Sequence, residues 1–180
     1  MTKRFFLVTI LALSFATHSS FAAEPQSTDL GISQINTVKM CDINEEYTKN
    51  FIKDFNIIQH DQKTGGHTSK LHIGKDYKEL LPALEKKSKA VSSYYDQLIA
   101  EYVIKNGIQK DAKRIINWVN SPDTKRTLKL EYQLSKPVGI GIKKGDTKQI
   151  DSFKAAVVLR KIPNCNFIVY TSYPVVIGES

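Results

Sequence analysis

The chain has only two cysteines, one tryptophan and two methionines in 180 residues. So few cysteines exclude a small scaffold stapled by several bridges, and they exclude a zinc site built on paired Cys-x-x-Cys motifs. Apolar runs are equally scarce. Past the first two dozen residues none is long enough to span a bilayer as a helix. Gly139 and Gly141 are spaced too irregularly for a phosphate loop or a dinucleotide fingerprint. There is no internal repeat and no low-complexity segment. Acid is in deficit: 18 Asp and Glu stand against 26 Lys and Arg, a formal charge of +8. Such an excess suits a nucleic acid or another phosphate-rich partner, although many exported proteins are also basic.

The start of the chain has the order of a secretory signal peptide. Lys3 and Arg4 precede an apolar run from Phe5 to Ala16, and Ser19-Ser20-Phe21-Ala22-Ala23 supplies small residues for cleavage. Ser20 and Ala22 occupy the two positions a signal peptidase reads, which predicts cleavage after Ala22. A buried N-terminal helix is the other reading. No lipobox cysteine follows, because the first cysteine is Cys41. The expected product is an exported protein, periplasmic or secreted, without stable membrane insertion. Its length of about 158 residues suits one domain with a real core. In that compartment Cys41 and Cys165 invite one disulfide, tying the start of the mature chain to the loop before the last strand; two independent thiols are the alternative.

Chemistry concentrates in Gly65-Gly66-His67-Thr68-Ser69-Lys70-Leu71-His72-Ile73-Gly74-Lys75. Histidine titrates near neutral pH, and lysine holds a phosphoryl group by charge, so imidazoles among lysines suit acid–base work on a phosphate ester. Two loop histidines in a basic protein remain the plainer reading. Lys70, Lys75, Lys78, Lys86, Lys87 and Lys89 crowd the same region, and such a run is also what a solvated helix face looks like. His67 and His72 lack a third ligand at metal-site spacing, so no metal and no cofactor are expected. Tyr170-Thr171-Ser172-Tyr173-Pro174 near the far end reads as a partner stretch.

The periodicity predicts an α+β domain, with helices first and an antiparallel sheet after them. Residues 24–40 form a loose lead-in. Asp42 and Glu45 suggest a capping box for a first helix carrying Tyr47, Phe51, Phe55 and Ile58, ended by Gly65-Gly66. A second helix starts after Asp76, with Glu79 as box partner and Leu80, Leu81 and Leu84 inward, disturbed by Pro82. Ser93 and Asp96 cap a third, carrying Leu98, Ile99, Tyr102 and Val103 and closed by Asn106-Gly107. Asp111 opens a fourth, with Ile115, Ile116, Trp118 and Val119 against the core. The period then becomes two: Leu128 to Leu134, Val138 to Ile142, Ala155 to Leu159 and Phe167 to Tyr173 read as strands. Lys144-Gly145-Asp146 reads as a turn, and the glycine face of Gly139 and Gly141 marks a close approach.

The ordered set resembles the bacterial RNase A-like toxin domain found at the C-termini of contact-dependent inhibition and other polymorphic toxins. Gly65-Gly66-His67-Thr68, His72, Gly74-Lys75 and Leu80-Leu81 carry the opening pattern. Ser93-Tyr94-Tyr95-Asp96, Ala100-Glu101, Ile115 with Trp118, Val158-Leu159-Arg160 and Thr171-Ser172-Tyr173-Pro174 follow in order. The resemblance covers roughly residues 65–175. It implies a kidney-shaped RNase A-like fold for residues 65–180, behind the signal read over 1–22 and an N-terminal extension with the first helix over 23–64. It also implies a metal-independent endoribonuclease, acting as an exported toxin on RNA, tRNA included, by attack of the 2′-hydroxyl; a non-catalytic polyanion-binding module of the same fold is the alternative. The implied catalytic residues are His72, Thr171 and Tyr173, with His67 in the complementary acid–base role. The family's helix arginine is replaced by Ala83, so either Lys75, first, or Lys86 or Lys87 supplies the phosphate contact, or activity is weakened or lost. The implied partners are RNA and a cognate immunity protein, with the domain itself a monomer.

Overall fold

The computed structural model describes residues 41–87, 89–122 and 125–176. The expected signal peptide, its cleavage site and the lead-in over 24–40 lie outside them. Within the described residues the front of the chain is helical. Asn44, rather than Asp42, caps the first helix α1 (Glu45–Lys53), accepting the Tyr47 N–H on its side chain at 3.1 Å. The single long helix expected here is two. Asn56 accepts the Gln59 N–H at 3.0 Å and starts α2 (Ile57–Thr64) afresh. An asparagine that caps is one that has stopped propagating the previous helix. The break rotates the apolar stripe, so Ile57 is fully buried while Ile58 is 41 % exposed. Gly65, at φ 73°, closes α2 in the left-handed conformation.

A short helix the periodicity does not show, α3 (Thr68–His72), follows at once. Next, Asp76 and Glu79 form the expected capping box of α4 (Tyr77–Glu85), which contains Pro82. Proline forgoes one helical hydrogen bond, and α4 ends within a turn of it. Leu80 and Leu84 are buried, but Leu81 is a surface residue. The expectation that Ser93 caps a helix fails, because Ser93 belongs to a strand, β1 (Ala90–Tyr94). Asp96 alone caps α5 (Gln97–Lys110), taking the Ile99 N–H at 2.8 Å.

Helix α5 runs through Asn106-Gly107 instead of ending there. The Tyr132 ring lies where a Gly107 Cβ would be, and its hydroxyl, with one proton to share, lies 2.8 Å from the Gly107 carbonyl oxygen and 2.7 Å from Asp111 Oδ2. The glycine therefore serves packing, not termination. The inward face of α5 is Ala100, Val103, Ile104 and Ile108, whereas Leu98 is 76 % and Tyr102 60 % exposed. Helix α6 (Ala112–Asn120) buries Ile115, Trp118 and Val119 as expected, and the Trp118 indole N–H donates to the Lys125 carbonyl at 3.0 Å.

Among the described residues the strands, β1 from between the helices and five from the back of the chain, form two three-stranded antiparallel sheets. One joins β1 to β3 (Gly139–Lys143) and β3 to β4 (Ile150–Ser152). The other orders β2 (Thr127–Gln133), β5 (Lys154–Ile162) and β6 (Asn166–Pro174). Strand β2 alternates buried and exposed residues throughout, as the period-two pattern requires. Gly139 and Gly141 are bare because the Ser93 backbone with Pro174, and Val176, approach them. Leu130, Val157, Leu159 and Val169 from the second sheet meet Ile104, Ile108 and Ile115 in one fully buried core.

The disulfide Cys41–Cys165 joins residues 124 apart in sequence, with Cα atoms separated by 5.0 Å. It fastens the approach to α1 onto the β5–β6 turn. The Tyr47 hydroxyl, bonded to Asn166 Oδ1, adds a second tie to the same turn.

Candidate active site

Helix α3 has five residues and could not hold itself together alone. It is fixed from outside. Asp61 Oδ2 accepts both the Ser69 N–H and the Ser69 hydroxyl at 2.7 Å, doing the work of a cap from the neighbouring helix. The His67 N–H donates to the Tyr170 carbonyl at 3.3 Å, and the buried Thr68 hydroxyl accepts the Ser172 N–H at 2.8 Å, pinning α3 to β6. On the other side Ile73 bridges Tyr94 in parallel, and the Gly74 N–H donates to the Tyr94 carbonyl at 3.0 Å. The Tyr94 and Ser172 hydroxyls meet at 2.6 Å, tying β1 directly to β6. The histidine helix is thus wedged between one strand of each sheet.

Strand β6 carries a bulge opposite Val158/Leu159: Leu159 pairs with Val169 and Val158 with Thr171, so Tyr170 has no partner. A bulge re-aims side chains. Here the Tyr170 ring meets the His67 ring edge-on with centroids 4.8 Å apart, while Thr171 and Tyr173 line a pocket of about 370 Å³. His67, His72, Ala83 and Lys87 share its wall. The two imidazole centroids are 6.3 Å apart, and the Tyr173 ring lies 5.5 Å from His72. The Lys129 ammonium stands 6.0 Å from the Tyr173 ring. Thr171 Oγ1 is buried and has no hydrogen-bond partner among the described residues. A buried hydroxyl left unmatched costs free energy unless something else binds it.

His72 Nδ1 lies 3.0 Å from the Ser92 carbonyl oxygen. A carbonyl only accepts, so Nδ1 carries a proton and Nε2 is the nitrogen left for proton transfer. Burial pushes the His72 pKa below the usual imidazole range, against the raising influence of the Ser92 bond, and His67 and Lys87 add to the depression. His67 is lowered too, first by burial; Asp61 opposes this, while Lys87 and Arg160 reinforce it. His60 is a different kind of residue. Its Nε2 accepts the Val169 N–H at 3.0 Å among Phe51 and Phe55, so it props β6 from behind.

His67, His72, Thr171, Tyr173 and Lys87 come together in this pocket. Lys75 and Lys86 do not line it. Lys75 donates to Glu79 Oε1 at 3.0 Å one turn along α4, and Lys86 is an exposed residue at the C-terminus of that helix. Ala83 lies in the wall, and Lys87, two residues past the end of α4, lines the same pocket. Sequence reasoning missed the Ser92 carbonyl, the Asp61 cap and the seat of Arg160, whose guanidinium carbon sits 3.3 Å from the Tyr170 ring centroid. A backbone carbonyl leaves no trace in residue identity. Among the described residues no group of three or more His, Cys, Asp or Glu is arranged to hold a metal ion.

Comparison with curated proteins gave no match. A chain in the crystal structure of a CdiA-CT/CdiI complex from Y. kristensenii is similar at 28 % identity with a TM-score of 0.55, over 58 % of this chain and 95 % of that one. Residues 66–174, which hold α3, both sheets and the whole pocket, match the family described as the bacterial CdiA-CT RNase A domain. With more than half its length matched, including every residue of the pocket, the chain belongs to the bacterial CdiA-CT RNase A domain family.

Proposed function

We propose that the pocket cleaves RNA by attack of a 2′-hydroxyl on the adjacent phosphorus. Family membership supports a ribonuclease-type activity. The observation that carries the finer reading is the meeting of two imidazoles, a lysine and an unmatched buried threonine hydroxyl in one pocket. His72 Nε2 takes the proton of the 2′-hydroxyl as the 2′-oxygen–phosphorus bond forms. The bond from phosphorus to the 5′-oxygen breaks, and protonated His67 supplies the departing oxygen with its proton. A 2′,3′-cyclic phosphate is left on one product and a 5′-hydroxyl on the other, so atoms and charge balance. Positioned acid and base groups are each worth about 10²–10⁴-fold. Thr171 Oγ1 donates to a phosphoryl oxygen, satisfying its own unmet bonding, and Lys87 offsets the developing charge. Tyr173 packs beside His72 and bounds the substrate.

Lys87 stands in for the arginine that the resemblance leads one to expect at Ala83. It supplies charge to the same pocket from the chain just past α4, but not the bidentate fork. The same alanine favours a second reading, a non-catalytic polyanion-binding module. Incubation of the protein with RNA in EDTA separates the two: cleavage supports the enzyme, whereas salt-dependent binding without turnover at any pH between 5 and 8 supports the module.

Export behind a signal peptide over residues 1–22, with domain boundaries at 23–64 and 65–180, belongs to the same proposal. So does a protein inhibitor, since the similar structure is a complex of CdiA-CT with CdiI. An acidic surface on that inhibitor would complement this basic chain.

A further inference from the structure

A second cleft, of about 620 Å³, opens at the end of the second sheet, with Arg126, Thr127, Arg160 and Lys161 in its wall. Thr127 and Arg160 face each other across the β2–β5 ladder, and the carbonyl of Arg126, the residue just before β2, accepts the Lys161 N–H at 2.8 Å, so backbone pairing fixes the chain at both arginines. Lys161 is committed elsewhere: its ammonium donates to the Ser121 carbonyl at 3.0 Å and lies 5.5 Å from the Trp118 ring. Among the described residues neither Arg126 nor Arg160 takes part in an ion pair.

Side chains link the cleft to the pocket: Arg160 rests on the face of Tyr170, and the Tyr170 and His67 rings meet at near right angles with centroids 4.8 Å apart. A guanidinium seated on a ring uses its face for the ring and keeps its N–H edge for a planar anion, the fork geometry that suits a phosphate. Tyr170 is the bulged residue of β6, so the seat depends on the same irregularity that turns Thr171 into the pocket.

We propose that Arg126 and Arg160 form a second phosphate subsite, which holds a phosphodiester flanking the one being cleaved. This rests on the ribonuclease reading of the neighbouring pocket. It makes RNA with several phosphates a better substrate than a dinucleotide with one. It also makes substrate binding and His67 neighbours in charge, because an anion on Arg160 screens the cation nearest the Tyr170–His67 stack.

The test compares a dinucleoside monophosphate with a pentanucleotide, and separately titrates salt against binding of a non-cleavable 2′-O-methyl oligonucleotide. The wild type should prefer the longer substrate, and Arg126→Ala should reduce that preference about tenfold. Loss of each arginine should lower the salt slope of oligonucleotide binding by about one. Arg126→Ala is an exposed change, and Arg160→Gln provides the second variant should stacking on Tyr170 matter to the fold. An unchanged length preference together with an unchanged slope in both variants overturns the subsite. So does unaltered RNA binding with the loss falling only on an acidic protein partner. If the wild type cleaves neither substrate, the ribonuclease reading fails, and the salt slope still decides whether these arginines hold phosphate.

Discussion

His72 is oriented by a backbone carbonyl, and this sets its chemistry more than its neighbours in sequence do. With Nδ1 held by Ser92, Nε2 is the nitrogen that the proposed mechanism uses as base, and burial lowers the ring's pKa, favouring the neutral form that role needs. His67 must carry a proton to act as acid, yet burial lowers it too, and Lys87 and Arg160 push the same way. The sign follows directly. In kcat/KM the base loses activity when protonated and the acid when deprotonated, and both pKa values sit below the ordinary imidazole value. The whole bell therefore lies acidic of two free imidazoles, with its maximum below about pH 6.5. Lys87→Gln removes a cation that depresses both rings, so it should move the profile to higher pH while lowering kcat. A wild-type optimum above pH 7, or a profile that Lys87→Gln leaves in place, would contradict these assignments.

Among the elements, α5 shows how local signals and tertiary packing compete. Asn106-Gly107 has the chemistry of a helix stop, but the helix continues to Lys110 because Tyr132 fills the space beside Gly107. Gly107→Ala decides which effect is larger. Alanine is worth about 1 kcal/mol more than glycine inside a helix. Forcing a methyl into the Tyr132 ring costs about 1–3 kcal/mol and disturbs two hydrogen bonds of a buried hydroxyl. A net loss of stability is expected in chemical denaturation, and a gain would mean the ring moves aside freely. The same competition explains which elements could be read in advance. Strand β2, half-buried and alternating, and the Asp76–Glu79 box were plain in the residues. Strand β1 was not: Ser92 and Ser93 look like cap chemistry, and only pairing with β3 makes them a strand. Helix α3 was hidden because its cap, Asp61, comes from another helix. Of the site, His67, His72, Thr171 and Tyr173 were legible as residue types in order, whereas the choice of Lys87 over Lys75 depended on which end of α4 the fold brings to the pocket.

Over the whole molecule, the Cys41–Cys165 bridge closes most of the described chain into one loop. A separation of 124 residues corresponds to about 5 kcal/mol in the chain-entropy account, an upper figure before any strain. Reduction should lower the melting temperature by about 10 °C or more. The bridge holds α1 to the β5–β6 turn, away from α3, so reduced protein that remains folded should keep its activity. Two titratable thiols in the folded, unreduced protein would rule the bridge out. The pocket itself is a joint between the sheets, held by the Tyr94–Ser172 contact and by α3. The arginine cleft is a separate cavity at the end of the second sheet.

Whether this pocket performs 2′-hydroxyl chemistry through His72 is tested most directly by end-group analysis of RNA incubated in EDTA with the wild type and with His72→Ala, both verified as folded. The wild type should leave 2′,3′-cyclic phosphate and 5′-hydroxyl ends, and His72→Ala should lower the rate about 10²–10⁴-fold. Full-rate cleavage by His72→Ala, or products without a cyclic phosphate stage, would contradict it.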